Sequence, residues 1–381
     1  MIRLRSFLAA GLLGAVCLLP ACGDETAEAP RATAVQAARS TPISADYVGL
    51  VAPEVLPLPD AEQLATLRAQ HAAGVGVLRQ TFRWDEIEPS KGRWAWGMHD
   101  QLVGNAARAG ITILPIVFQV RPDQAAAAKP GVKVTATTTM PPKDPAVFAG
   151  FATELVKRYG PGGTFWAEHP DIPERPVHSW QVWNEPNLKA YWGGRPNDRE
   201  YGRLLVVTAK AIRAADPKAE IVTGGLPQSK QGISIKDYIH LLAKSAPKGT
   251  FDTLAIHPYG RTADTVITGA AHAREWLDRE GLTSVNLWIT EFGWATGGPK
   301  SPFTVGPKRQ ARQVTEVLDR SAALRTDLRL RGVIYYSWRD VPPYEGGRDF
   351  WGLHTGLNTL EGEAKPALQA FTDEIAALRD R

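Results

Sequence analysis

Eight short apolar runs, rich in β-branched residues, recur along the chain at 48–52, 75–82, 111–118, 179–183, 220–224, 253–257, 286–290 and 332–338. Between them lie segments with helical periodicity, such as Phe148, Phe151, Leu155 and Tyr159, or Tyr201, Leu204, Leu205, Thr208 and Ile212. An order of this kind leaves few folds open. Strands that are apolar throughout must be covered on both faces, and strands joined through helices run parallel.

Capping residues mark the joints. Asp60 with Gln63 and Asn197 with Glu200 have the spacing of a capping box, and Asp144 stands before a first-turn Pro145. Gly74, Gly110 and Gly332 each separate a helical stretch from a strand, where a left-handed residue is wanted. Eight such units predict an α/β fold of the (β/α)8 (TIM) barrel type, a single domain over 46–381. An open doubly wound sheet would carry a Gly-rich phosphate loop early, and none is present. A chain of 381 residues, 44% hydrophobic, is long enough for the core such a barrel needs.

The N-terminus has a different character. Arg3 and Arg5 precede an apolar run over 7–19 and the tetrapeptide Leu19-Pro20-Ala21-Cys22, which resembles a bacterial lipobox. The reading is a lipoprotein signal peptide over 1–21, Cys22 as the lipidated first residue, and a flexible Ala/Thr-rich tether over 22–45. Cys17 falls inside the signal, so no disulfide is expected and the core must stabilise the domain. The expected location is the outer face of a bacterial cell membrane, held by the lipid anchor, or the secreted fraction. A monomer is expected. The formal charge is +4, of which Arg3 and Arg5 supply two, and the scattered remainder excludes a nucleic-acid binder.

In a barrel of this kind, functional groups gather where the strands end. Arg79 lies near the end of the second run, Asn184-Glu185 past the fourth, and His257-Pro258-Tyr259 at the sixth. Glu291 closes the seventh and Trp338 the eighth. Glu185, walled by Trp183 and Trp192, should be desolvated enough to hold a proton near neutral pH, as a general acid must. Glu291, three strands around the ring, should face it. Two carboxyls roughly 5–5.5 Å apart support double displacement at a glycosidic carbon. The 12 Trp suit surfaces that stack on sugar rings, and Trp192 and Trp294 are candidates for outer sugar subsites or for packing.

Other polar residues are expected to play structural or surface parts. Glu86 and Glu88 sit among aromatics in a structural loop. His99, His169, His178, His240 and His272 match no zinc-binding spacing and belong on the surface or in loops, so neither a metal nor a cofactor is expected. Asp340, Glu345 and Asp349 follow the eighth strand and should be solvated.

The segment Trp183-Asn184-Glu185-Pro186-Asn187, with Phe82-Arg83-Trp84-Asp85-Glu86-Ile87-Glu88-Pro89 followed by Gly92 and Trp94, resembles clan A glycoside hydrolases. Family 39 and its bacterial endo-acting, exopolysaccharide-hydrolysing relatives are the most similar, from about Tyr47 onward. The resemblance implies Glu185 as acid/base and Glu291 as nucleophile of a retaining glycosidase acting on a polysaccharide or oligosaccharide. It implies that Asn184 bonds the sugar 2-hydroxyl and Arg79 holds the nucleophile ionised. His257 and Tyr259 would support that region, and Trp338 would be the sugar platform. The chain departs from the family in its long 119–143 connection, which should shape substrate choice, and in lacking the extra β-rich region of the exo-acting xylosidases. That second departure favours internal cleavage. A barrel that binds carbohydrate without turnover is the competing reading, against which the complete residue set speaks. A transglycosylase would use the same residues.

Overall fold

The computed structural model describes residues 42–128, 131–132, 136–343 and 347–381. The signal segment, Cys22, the tether through residue 41, and Glu345 lie outside them. One sheet contains β1 (Val48–Val51), β2 (Val77–Arg83), β3 (Thr112–Phe118), β4 (Ser179–Val182), β5 (Glu220–Thr223), β6 (Leu226–Pro227), β7 (Thr253–His257), β8 (Asn286–Phe292) and β9 (Leu330–Tyr336). Every pairing is parallel; β1 bonds to both β2 and β9, while β5 and β6 both bond to β7. Gly224 and Gly225 part β5 from β6 within one stave, so eight staves close into the barrel the alternation predicts.

Helices cover the outside: α1 (Asp60–Ala72), α2 (Trp84–Ile87), α3 (Gly97–Ala109), α4 (Pro145–Tyr159), α5 (Thr164–Glu168), α6 (Asp198–Ala215), α7 (Ile235–Ser245), α8 (Ala263–Arg279), α9 (Pro307–Ala323) and α10 (Pro366–Arg379). Asn197 Oδ1 accepts from the Arg199 and Glu200 N–H groups to start α6, and Asp144 Oδ1 accepts from Ala146 N to start α4 ahead of Pro145. Gly74 and Gly110 take φ 96° and 81° as anticipated. Asp60 is not a cap: it lies inside α1 behind Pro59, and the buried Gln63 donates to the Val55 and Leu56 carbonyls instead. Those carbonyls lie in a tight turn and need a donor. Gly332 also differs, lying within β9, where a side chain would overlap the Tyr47 carbonyl. Arg329 supplies the left-handed residue, at φ 51°.

Two apolar layers fix where a site can form. Val51, Val77, Leu114, Val222, Ala255, Trp288 and Ile334 fill the barrel interior and leave the strand ends above them for polar groups. A continuous outer layer joins the strands to the helices, each buried aliphatic side chain contributing about 1.5–3 kcal/mol. Trp94 stacks on Trp96 at 4.8 Å, while Glu88 accepts from Trp84 Nε1 and pairs with Arg121 at 2.8 Å, so the segment after β2 is structural as expected. The packing reaches back to Ile43, three residues before the expected start, because Ile43 is buried and its N–H bonds to the Leu378 carbonyl.

Candidate active site

Arg79 occupies the third position of β2, deeper than its place in the sequence run suggests, and is 1% exposed. Its guanidinium spans three partners. Nη1 donates to Glu291 Oε1 at 2.6 Å, Nε to Gln181 Oε1 at 2.7 Å and Nη2 to Asn184 Oδ1 at 2.8 Å. A buried cation is costly unless it is paired and fully bonded, so this network requires Glu291 as a carboxylate. Gln181 is held in turn by donating to the Thr223 carbonyl at 3.0 Å.

Glu185 stands in the turn after β4, where Trp183 and Glu185 adopt φ 72° and 44°. Left-handed backbone at residues other than glycine costs about 1–3 kcal/mol and persists where the surroundings enforce it. Here Asn187 Nδ2 donates to the Pro227 and Ile233 carbonyls at 2.9 Å, and Trp183 Nε1 to the Tyr191 carbonyl at 2.8 Å. The Glu185 carboxyl is buried, with Oε1 2.8 Å from His257 Nδ1 and Oε2 without a hydrogen-bond partner among the described residues. Burial, and secondarily the charge of Glu291, raise its pKa above the usual carboxylate range, against the opposing pull of His257 and Arg79.

Glu291 lies on β8, one residue before its end. Besides Arg79 on Oε1, the Tyr259 hydroxyl donates to Oε2 at 2.8 Å, and His257 Nδ1 lies 3.6 Å from the same oxygen. Burial alone would push its pKa up, but His257, Arg79 and Tyr259 outweigh burial and hold it below the usual value. His257 ends β7, with Nε2 3.0 Å from Thr290 Oγ1. Gly225 makes room for it, since a side chain there would overlap the imidazole ring. One ligand-capable atom from each of Glu185, His257 and Glu291 falls within 4.8 Å of the other two.

The structure thus brings together Glu185, Glu291, Asn184, Arg79, His257 and Tyr259, and leaves three tryptophans elsewhere. Trp192 packs edge-on against Trp183 and Tyr201 with Nε1 on Glu200, and Trp294 is wholly buried with Nε1 on the Gly260 carbonyl. Neither offers an open ring face to a sugar. Trp338 lies two residues past β9, belongs to the outer core and borders the groove between α1 and α10 beside Ala65 and Ala69. The strand alternation that turns Ile334 and Tyr336 inward ends before Trp338 is reached.

Tyr336 is therefore the β9 aromatic beside the strand-end carboxyls, and burial with the charges of Glu291, Glu54 and Glu185 pushes its hydroxyl pKa up. Glu54 follows β1 in a short turn, with both carboxylate oxygens buried and unpartnered among the described residues; burial drives its pKa up to about 8. Its position after the first apolar run carries the same signal as Glu185 after the fourth. Two further expectations change. His99 is buried against Phe82, and burial lowers its pKa to about 4; it is a neutral core residue rather than a surface one. Asp340 is not solvated, because it pairs with the buried Lys365 at 2.6 Å and accepts from Gly356 N.

No family model matches the chain. It is 30% identical over 112 residues to a β-xylosidase of Geobacillus stearothermophilus, a match covering 27% of this chain and 19% of that protein. A family 39 glycoside hydrolase from Bacteroides cellulosilyticus WH2 superposes with a TM-score of 0.66 at 19% identity, over 88% of this chain and 64% of the other. A monomeric β-xylosidase from Caulobacter crescentus CB15 gives 0.59 at 18% identity, over 88% and 69%. Xylanase 10B from Thermotoga maritima gives 0.55 at 15% identity, over 88% and 96%. At these identities the likeness is one of fold, and the chain spans under two thirds of the Bacteroides enzyme.

Proposed function

We propose that this protein is a retaining glycoside hydrolase that cleaves O-glycosidic bonds of an extracellular or cell-surface polysaccharide, with Glu185 as acid/base and Glu291 as nucleophile. The observation that carries the reading is a pair of buried carboxyls approaching within 4.8 Å, one biased toward its protonated and the other toward its ionised form. An inverting pair would stand about 6.5–9.5 Å apart to admit water.

The chemistry follows from the neighbours. Glu291 attacks the anomeric carbon while Glu185 gives its proton to the departing glycosidic oxygen, leaving a glycosyl ester on Glu291. Glu185, now ionised, takes a proton from water as that water attacks the same carbon and frees Glu291. The Asn184 carbonyl accepts from Arg79, which leaves its amide N–H groups for a sugar 2-hydroxyl. Tyr336 takes over the platform role that the resemblance gives to Trp338. A binding protein without turnover would have no use for opposed protonation states. The barrel mouth near the long 119–143 connection is where substrate choice is expected to reside, and export with a lipid on Cys22 would bring the site to extracellular glycans.

The test is a screen of purified protein against polysaccharides and aryl glycosides with Glu291→Gln as control. Product from the wild type and a loss beyond about a thousandfold in the variant are expected. Silence on every substrate with tight binding to one glycan would replace the hydrolase by a carbohydrate-binding barrel. For the anchor, Cys22→Ser should release the protein from membranes; unchanged membrane association would remove it.

A further inference from the structure

We propose that Glu185, His257 and Glu291 bind a zinc ion when no glycan occupies the site. Ligand atoms around a tetrahedral zinc lie about 2.0–2.1 Å from the ion and hence about 3.4 Å from one another. His257 Nδ1 is 2.8 Å from Glu185 Oε1 and 3.6 Å from Glu291 Oε2, and one atom from each residue falls within 4.8 Å of the others. Closing the widest of these gaps, at most 4.8 Å, to about 3.4 Å takes a movement of about an ångström shared between the two carboxyls.

A second observation concerns the other oxygen of the same Glu185 carboxyl. Glu185 Oε2 is buried without a hydrogen-bond partner among the described residues, a costly state for a carboxyl oxygen. The supporting contacts resemble those around zinc ligands. Thr290 Oγ1 lies 3.0 Å from His257 Nε2, so the tautomer that donates to Thr290 presents an Nδ1 lone pair to the ion. Arg79 occupies Glu291 Oε1, and Tyr259 fixes Oε2 toward the imidazole. One imidazole and two carboxylates, with a fourth position open to water, suit zinc. Magnesium, which demands octahedral oxygen ligation, is not suited. With the ion in place Glu185 has no proton to give and the Glu291 charge is drawn to the metal instead of the sugar, so zinc and glycan exclude each other; this consequence, unlike the binding itself, rests on the glycosidase reading.

Calorimetry with zinc sulfate on the full chain, with magnesium chloride in parallel, tests the site without any turnover. One zinc per chain is expected, with affinity at least tenfold weaker in His257→Gln and in Glu185→Gln and no binding of magnesium. Because either substitution could disturb folding, anomalous scattering at the zinc edge from a soaked wild-type crystal locates the ion directly, and it should fall between His257 Nδ1 and the two carboxylates. No stoichiometric zinc, an ion elsewhere, equal binding of magnesium, or affinity unchanged in both variants overturns the proposal. A protein that binds zinc there but hydrolyses nothing would sink the glycosidase reading alone, and a hydrolase indifferent to zinc would sink this one alone.

Discussion

Glu185 and Glu291 are the same side chain in the same buried site, and their neighbours decide which keeps a proton. Of the two carboxyls, the Arg79 guanidinium and Tyr259 hydroxyl bond only to that of Glu291, while Glu185 has one imidazole and an unsatisfied oxygen. Activity should therefore fall on the acid side as Glu291 takes up a proton, below the usual carboxylate range, and on the alkaline side as Glu185 loses its own, above that range. Glu185→Ala should erase the alkaline limb and slow a natural glycan by about 10²–10⁴-fold. It should slow the first step on an aryl glycoside with a good leaving group much less; equal losses on both would remove Glu185 from the acid role. These two residues were legible in the sequence because each is a charge placed directly where an apolar strand ends. Gln181 and Tyr336 were not, since an uncharged residue inside an apolar run looks like packing until the strand's inward face is known. Trp338 was misplaced for the complementary reason: its side-chain direction is set beyond the strand, where alternation no longer applies.

At the scale of elements, the break between β5 and β6 shows how backbone positions the site. Gly224 reads as the end of a strand, and Leu226–Pro227 is too short to announce itself by periodicity. Only the folded barrel shows that the gap lies against His257. Gly225→Ala should push the imidazole off Glu185, cutting activity severely while costing only about 1–3 kcal/mol of stability, as measured by kinetics and thermal melting on one preparation. An unchanged rate would mean that His257 does not need that space. The caps tell a similar story. Asn197 and Asp144 behave as their sequence patterns require, because nothing competes for their side chains. At Asp60 the pattern fails, since the buried Gln63 is claimed by the carbonyls of the preceding turn.

For the molecule as a whole, pairing of β1 with β9 closes the barrel, and its eightfold alternation of strand and helix was readable apart from the break within the fifth stave. What the alternation could not supply was the extent of packing before β1, because Ile43 is fixed by a contact with the last helix, far away in sequence. A chain starting at residue 42 should melt within about 2 °C of the full chain, whereas removal through Val51 takes away the closing strand and should abolish folding; a truncation at residue 42 that melts far lower would show that the domain needs residues before Pro42. The same architecture brings oxygens of the two carboxyls within 4.8 Å of each other, and in the proposed reaction one of them attacks the sugar rather than activating water. Proton NMR of the first-formed product anomer, recorded within seconds of mixing protein with whichever glycoside it turns over, tests that most directly. Retention of the substrate's anomeric configuration is the expected result, and formation of the inverted anomer would contradict double displacement through Glu291.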